Sequence, residues 1–219
     1  MKERRERIRR ALFGRGNERF INATRKAMPS GRLLDVGAGM GDLLDCARQY
    51  YECTALEPSP IAADALRQQG YQVIESTLED CAIPEMGYDI IILDSVIEHV
   101  RSPKQALEKI HSMLNPGGVV AMKTPKFGGP ASIIHGKGWN GFRHGHHTFL
   151  FSGATLSGFL RATGFEVLRS PRRNRLLDDV LILWGRKPDY PEVVTKLTNG
   201  KSSCGSPGVS RTRAVAIGG

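Results

Sequence analysis

From residue 31 onwards, short apolar runs alternate with segments whose apolar residues recur at helical spacing. The apolar runs predict strands over residues 32–36, 53–57, 71–75, 88–94, 119–123, 165–169 and 180–184. The segments between them predict helices over residues 42–50, 58–70, 102–114 and 152–163, and the Asn-Pro-Gly-Gly run at 115–118 predicts a turn. The unbroken apolar run within 88–94 is typical of a central strand buried on both faces. Strands that alternate with helices in this way predict an α/β fold with a mainly parallel sheet.

Three other segments flank or interrupt this alternation. Residues 1–30 have a basic, helical pattern that ends at a proline and glycine break. Residues 124–151 are rich in glycine, histidine and aromatic side chains and show little periodicity, as expected for a functional insertion. The last residues are rich in serine, glycine and arginine, which is typical of disorder. We therefore predict a helical cap over 1–30, a domain over 31–187 with a lid over 124–151, and a disordered tail over 188–219.

The charge balance makes one end of the chain basic. Lysine and arginine number 31 against 22 aspartate and glutamate residues, so the formal net charge is +9, and much of the excess lies in residues 1–30. A basic segment of this kind is either a solvated charged helix or a surface for nucleic acid or an anionic membrane.

The remaining composition indicates a cytoplasmic protein. No stretch approaches the roughly 20 consecutive apolar residues that a membrane span needs. The basic N-terminal segment lacks the apolar core of a secretory signal. The four cysteines form no CxxC pair, which favours a reducing compartment.

The strongest chemical signal is a glycine-rich loop between the first predicted strand and its helix. Gly37, Gly39 and Gly41 lie at alternate positions there, so a ligand can lie against bare backbone. Dinucleotide-binding loops usually have the spacing Gly-x-Gly-x-x-Gly and present a helix N-terminus to a pyrophosphate. Here Asp42 stands at that helix start, where it would repel a pyrophosphate. The loop therefore favours a ligand without phosphates.

A carboxylate follows at the end of the second predicted strand. Glu57 is placed to accept hydrogen bonds from the ribose hydroxyls of an adenosine. Residues 76–80, just after the third strand, are placed to meet the adenine. Together with the glycine loop, these features indicate an adenosine-containing ligand.

Five blocks in this order resemble the class I S-adenosylmethionine-dependent methyltransferases. They are LLDVGAGMGDLL (33–44), ALEPSP (55–60), STLEDC (76–81), YDIIILDSVIEHV (88–100) and LNPGGVVAMKTP (114–125). The resemblance implies a Rossmann-like three-layer sandwich of seven strands, mainly parallel with an antiparallel last strand. It also implies S-adenosylmethionine as cofactor, with binding residues Asp35, Gly37, Ala38, Gly39, Gly41, Glu57, Pro58, Leu78, Glu79, Asp94 and Ser95.

Within this family, residues 97–100 and the later 139–149 stretch resemble the ubiquinone-biosynthesis O-methyltransferases. Metal-assisted members of that branch carry Glu-x-x-Glu-His at the end of the fourth strand. This chain has Ser95 in place of the first glutamate, which leaves Glu98 and His99. One carboxylate and one imidazole make a poor site for a divalent cation, so we predict no metal.

A hydroxyl acceptor would need a base, and the histidines are the candidates. We predict His99 as the base because it follows the fourth strand at the crevice, although it could equally be structural. His146 and His147 of the lid are further catalytic candidates. Trp139 and Phe142 either stack on an acceptor ring or fill space beneath the lid.

Three functions remain open from the residues. The first is methyl transfer to a small-molecule acceptor, at an oxygen. The second is an RNA or protein methyltransferase that uses the basic N-terminus. Base methylation is disfavoured because residues 94–97 lack the Pro-Pro-aromatic run with which amino methylases hold a flipped base. The third is a module that binds the cofactor without catalysis. The acceptor and the oligomeric state are not determined by the sequence.

Overall fold

The computed structural model describes residues 14–82, 87–143, 147–168 and 179–189, which contain seven strands and seven helices. The strands are β1 (Gly31–Val36), β2 (Tyr51–Leu56), β3 (Gln72–Ile74), β4 (Tyr88–Asp94), β5 (Leu114–Pro125), β6 (Glu166–Leu168) and β7 (Val180–Arg186). The helices are α1 (14–24), α2 (Asp42–Ala47), α3 (Pro60–Gln68), α4 (Pro103–Met113), α5 (Pro130–His135), α6 (Asn140–Arg143) and α7 (Gly153–Ala162). A single 3₁₀ turn, Gly136–Gly138, separates α5 from α6.

The seven strands form one sheet in the order β3-β2-β1-β4-β5-β7-β6. The pairs from β3 to β5 are parallel, whereas β7 runs antiparallel to both β5 and β6. This confirms the predicted Rossmann-like α/β fold with its antiparallel last strand. The order of the strands reverses between β1 and β4, and ligands bind at such a reversal beyond the carboxyl ends of the strands.

Helices cover both faces of the sheet because adjacent residues of each central strand point to opposite sides. On β4, Ile91 and Leu93 pack with α4 and α7, whereas Ile90 and Ile92 pack with α1 and α2. All four side chains are fully buried, which confirms that the apolar run forms a central strand. The start of α4 is fixed by Ser102, whose hydroxyl accepts a hydrogen bond from the backbone N–H of Gln105.

Helix α1 packs onto the sheet core. Phe20 and Ile21 are buried against it, and the indole N–H of Trp184 on β7 donates a hydrogen bond to the hydroxyl of Thr24 at 3.1 Å. The first 13 residues of the predicted cap and residues 190–219 of the predicted tail lie outside the described residues. The predicted boundary at residue 30, between the helical cap and the domain, stays a prediction. Among the described helices, none combines the length and the apolar content needed to cross a bilayer.

Two local features differ from the sequence pattern. Strand β5 begins at Leu114, so residues 115–118 lie within the strand and not in a free turn. The register between β4 and β5 shifts to accommodate these residues, because Tyr88 pairs with Leu114 but Ile90 pairs with Val119. The predicted lid contains α5 and α6, which are too short to give a detectable helical period.

Candidate active site

The loop between β1 and α2 needs its glycines for backbone conformation. Gly37, Gly39 and Gly41 all have positive φ, at 70°, 54° and 86°. At Gly37 the reason is also steric, since a Cβ there would lie 2.7 Å from a methyl carbon of Val96. The N–H of Gly37 donates to the carbonyl of Leu56 at 2.7 Å, which holds the loop against the end of β2. The loop therefore brings bare backbone to the reversal point of the sheet.

Glu57 connects this loop to the end of β2. Its Oε2 accepts a hydrogen bond from the N–H of Gly39 at 2.8 Å, and its Oε1 accepts one from the N–H of Ser59 at 2.9 Å. The side chain is buried, with 7% of its surface exposed. Each carboxylate oxygen has two lone pairs, so both oxygens can still accept a hydrogen bond from a ligand hydroxyl.

A cavity of about 360 Å³, here called the glycine-loop cavity, lies beside this carboxylate. Its lining residues are Val36, Gly37, Leu56, Glu57, Pro58, Ser76, Thr77, Leu78, Glu79, Ser95, Val96, His99 and Val100. Of the predicted cofactor residues, Gly37, Glu57, Pro58, Leu78, Glu79 and Ser95 line the cavity, whereas Asp35, Ala38, Gly39, Gly41 and Asp94 do not. The prediction omitted Val96 and Val100, although their four-residue spacing just after β4 was a usable signal.

Three carboxylates surround the carboxyl ends of β1, β2 and β4. Burial, together with the negative charges of Asp94 and Glu57, raises the pKa of Asp35 well above its usual range, and Lys123 acts in the opposite direction. Asp94 forms an ion pair with Lys123. The site therefore has an excess of negative charge, which a cationic ligand would relieve. A sulfonium compound with an α-amino group has that character.

The variant Asp35→Asn tests this charge balance. Because the pKa of Asp35 is raised in the folded state, the folded protein holds a proton that the unfolded chain loses near pH 3.9. The free energy of unfolding then falls as the pH rises through the window from that value to the folded-state pKa. Without cofactor at neutral pH, we expect the variant to melt about 2–4 °C higher, the effect of ~1 kcal/mol in a chain of this size.

Calorimetric or fluorescence melting between pH 4 and 8 measures this effect. The control is Asp64→Asn, since Asp64 is exposed on α3 and its side chain has 67% of its surface accessible. The same pH dependence in Asp35→Asn and in the wild type would contradict the assignment.

A second cavity, of about 500 Å³, lies between the sheet and the lid and is called the lid cavity here. It is lined by Ser95, Glu98, His99, Lys123, Thr124, Pro125, Trp139, Gly141, His147, Asp179 and Val180. Val180 begins β7 and Asp179 directly precedes it, and neither residue was predicted. They reach the site because antiparallel pairing places Val180 opposite Pro125. This pairing has no local signal in the sequence.

Ser95 and His99 line both cavities and so lie at their boundary. Ser95 has φ of 59°, a left-handed conformation that is uncommon for a residue with a side chain. It is held there because its N–H donates to the carbonyl of Lys123 at 2.7 Å, which extends the pairing of β4 with β5. Such strain in a backbone is found most often at functional sites.

The lid brings a second histidine to this boundary. The rings of His99 and His147 pack edge to face, with centroids 4.8 Å apart. Nδ1 of His147 lies 2.9 Å from the carbonyl oxygen of Gly141, and the tautomer that donates there carries its lone pair on Nε2. His146 lies outside the described residues.

Glu98 ties the lid to the end of β4 and was not among the predicted site residues. Its backbone carbonyl accepts hydrogen bonds from the N–H groups of Thr148 at 2.9 Å and Phe149 at 3.1 Å. Its Oε2 accepts a hydrogen bond from the hydroxyl of Thr124 at 2.9 Å. The side chain is almost fully buried, and this burial raises the pKa of its carboxyl group.

Trp139 forms part of the lid-cavity wall and is buried. It packs edge-on against Phe142, with ring centroids 5.5 Å apart, and lies 6.4 Å from Phe127. The contacts of Trp139 with Phe127 and Phe142 therefore fill space within the lid. The same residue also lines the lid cavity. Phe142 is about half exposed and does not line the cavity.

Comparison with known proteins agrees with this geometry. Residues 4–170 match the methyltransferase domain family. The ubiquinone biosynthesis O-methyltransferase of Xanthomonas campestris pv. campestris is 32% identical over 112 residues, covering 47% of this chain and 46% of the relative. A probable S-adenosylmethionine-dependent methyltransferase of Mycolicibacterium smegmatis is 27% identical over 139 residues, covering 62% of this chain and 52% of the relative. The chain thus spans about half the length of these curated relatives.

Solved structures support the fold. A Thermotoga maritima S-adenosylmethionine-dependent methyltransferase, described as a possible histamine N-methyltransferase, matches with a TM-score of 0.66 at 20% identity. The match covers 84% of this chain and 95% of that one. The chain belongs to the methyltransferase domain family.

Proposed function

We propose that this protein transfers the methyl group of S-adenosylmethionine to an oxygen of a small-molecule acceptor held in the lid cavity. The observation that carries the proposal is that Ser95 and His99 line both cavities. A cofactor in the glycine-loop cavity and an acceptor in the lid cavity would meet at these two residues. Methyl transfer needs this adjacency, because the enzyme gains most from aligning the two reactants.

The size and lining of the lid cavity support a small acceptor. Its volume of about 500 Å³ falls within the range of small-molecule pockets, roughly 300–1,000 Å³. Trp139, Pro125 and Val180 supply apolar surface, and Ser95 and His99 supply polar groups where the lid cavity meets the glycine-loop cavity. That arrangement suits a ring or chain with one polar reacting end. The resemblance to ubiquinone biosynthesis O-methyltransferases supports oxygen as the acceptor atom.

For the cofactor we propose the contacts that the sequence resemblance implied. Glu57 binds the ribose hydroxyls, Pro58 lies beside them, and Leu78 and Glu79 flank the adenine. The methionine part lies toward Asp35 and Asp94, together with the glycine loop. The hydrogen bond from Gly39 to Glu57 supports this assignment, because it holds in place a carboxylate that lines the cavity.

In the proposed reaction, the acceptor oxygen attacks the methyl carbon and the carbon–sulfur bond breaks. The electron pair of that bond remains on sulfur and gives neutral S-adenosylhomocysteine. The proton of the acceptor hydroxyl passes to the imidazole of His99, with His147 as a second candidate. Histidine is the most frequent general base in enzymes. The lid excludes water, which would otherwise solvate the nucleophile.

The test is transfer of labelled methyl from S-adenosylmethionine to a panel of phenols, catechols, carboxylic acids and amines, with RNA and basic peptides alongside. We expect label on a small hydroxyl or carboxylate acceptor, with inhibition by S-adenosylhomocysteine. Label on RNA or peptide alone would overturn the small-molecule assignment and favour a role for the basic N-terminal segment. Cofactor binding without transfer to any acceptor would favour a module that only binds the cofactor.

A further inference from the structure

The structure adds a third donor to the pair of residues that the sequence left after β4. One ligand atom each from Glu98, His99 and His147 lies within 4.8 Å of the other two. Glu98 and His99 follow β4, whereas His147 comes from the lid, 48 residues further along the chain by its numbering. All three side chains line the lid cavity. The sequence could not indicate this grouping, because only the folded lid brings His147 to the other two.

The burial of Glu98 supplies an independent reason to expect a cation. Its Oε1 is buried and has no hydrogen-bond partner in the described part of the chain. Leaving a buried polar oxygen unpaired costs free energy, and more when the oxygen carries charge. A positive ion beside this oxygen removes that cost.

The orientation of His147 also suits a metal ligand. Its Nδ1 lies 2.9 Å from the carbonyl oxygen of Gly141. Histidine ligands commonly donate one ring N–H to a backbone carbonyl, and this bond fixes the other nitrogen toward the metal. Nε2 is then the nitrogen that faces the ion.

We propose that Glu98, His99 and His147 bind one divalent transition-metal ion between the end of β4 and the lid. Two imidazoles and one carboxylate favour Zn²⁺, Co²⁺ or a similar ion over Mg²⁺, which prefers oxygen ligands. Bonds to such an ion are ~2.0–2.2 Å long, so small side-chain rotations must bring the outermost donor atoms closer together. Three protein ligands leave a coordination position toward the lid cavity.

The proposal changes the prediction of no metal, which rested on Ser95 standing in place of the first glutamate. The lid supplies an imidazole in place of the absent carboxylate. Because this donor atom is a nitrogen, the site favours a different metal. An ion bound there supplies Lewis acidity toward an acceptor hydroxyl. It also links the lid to the sheet through side chains, in addition to the backbone hydrogen bonds of Glu98 with Thr148 and Phe149.

The experiment is a titration of tag-free, chelator-treated protein with Co²⁺ and Zn²⁺ by calorimetry and visible absorption. We expect one ion per chain, a Co²⁺ absorption band that Zn²⁺ removes, and no displacement by millimolar Mg²⁺. In His147→Ala and in Glu98→Gln, affinity should fall at least tenfold. The control is His135→Ala, because His135 is an exposed histidine of the lid outside the cluster.

Two further measurements keep the outcome clear. Proton NMR of the Co²⁺-loaded wild type should show paramagnetically shifted imidazole signals from two histidines, a result that needs no variant. Titration with S-adenosylmethionine in the chelator-treated protein tests the cofactor site separately. Absence of saturable binding, or equal affinity in His147→Ala, Glu98→Gln and the wild type, would overturn the metal site and leave the proposed function untouched.

Discussion

Replacing Glu57 by alanine is expected to weaken S-adenosylmethionine binding about 100-fold. The side chain is buried and already holds the N–H groups of Gly39 and Ser59, so its loss removes the proposed ribose contact and also frees the glycine loop. Hydrogen bonds to a charged group contribute about 1.5–3 kcal/mol each, and ~2.7 kcal/mol corresponds to 100-fold. Calorimetric titration with S-adenosylmethionine and S-adenosylhomocysteine measures the effect.

The matched control is Glu52→Ala, since Glu52 is an exposed glutamate on β2, the strand that Glu57 follows. It should leave the affinity unchanged. Glu57→Gln keeps the size of the side chain and one acceptor oxygen, and its affinity should fall between those of the wild type and the alanine variant. Undiminished affinity in Glu57→Ala, in protein that melts cooperatively, would show that the ribose lies elsewhere.

Replacing His99 by alanine is expected to lower kcat by roughly 10²–10⁴-fold, the usual contribution of a general base. His99 lines both cavities, so its imidazole lies where the acceptor proton would leave. Because the proposed cofactor contacts are made mainly by the glycine loop and Glu57, the affinity for S-adenosylmethionine should change only a few-fold. Single-turnover kinetics with the acceptor found in the panel, together with cofactor titration, separate these effects.

His135→Ala serves as the control here also, because His135 does not line either cavity. Full turnover in His99→Ala would exclude the imidazole as the essential proton acceptor. A large loss in His147→Ala and none in His99→Ala would assign the base to the lid.

Much of the fold could be predicted from local pattern. The apolar run of β4 and its alternation with helical segments indicated a buried parallel strand, and Ile90–Leu93 are fully buried. Residues 115–118 were misassigned as a turn because their composition favours a turn. The pairing of the flanking residues Leu114 and Val119 with β4 is a tertiary effect. The helices of the lid were missed since each is shorter than two turns.

The proximity of the glycine loop and Glu57 could be predicted from the sequence for a similar reason. The glycine loop and Glu57 each follow a strand, and in a parallel sheet the carboxyl ends of neighbouring strands meet at one edge. Their order along the chain therefore indicated their proximity. Lys123, which lies opposite Asp94, could have been predicted by the same reasoning but was not identified.

The sequence by itself determined the fold class and the position of the glycine loop and Glu57 at one edge of the sheet, because periodicity and the spacing of glycines and carboxylates after strands are local properties of the chain. The family resemblance added S-adenosylmethionine and methyl transfer as expectations. Only the tertiary structure decided the acceptor side. Val180 reaches the lid cavity by antiparallel pairing with β5, and His147 reaches His99 because the lid folds back onto the backbone carbonyl of Glu98. These contacts join residues far apart along the chain, and their geometry depends on packing that has no local signature in the sequence.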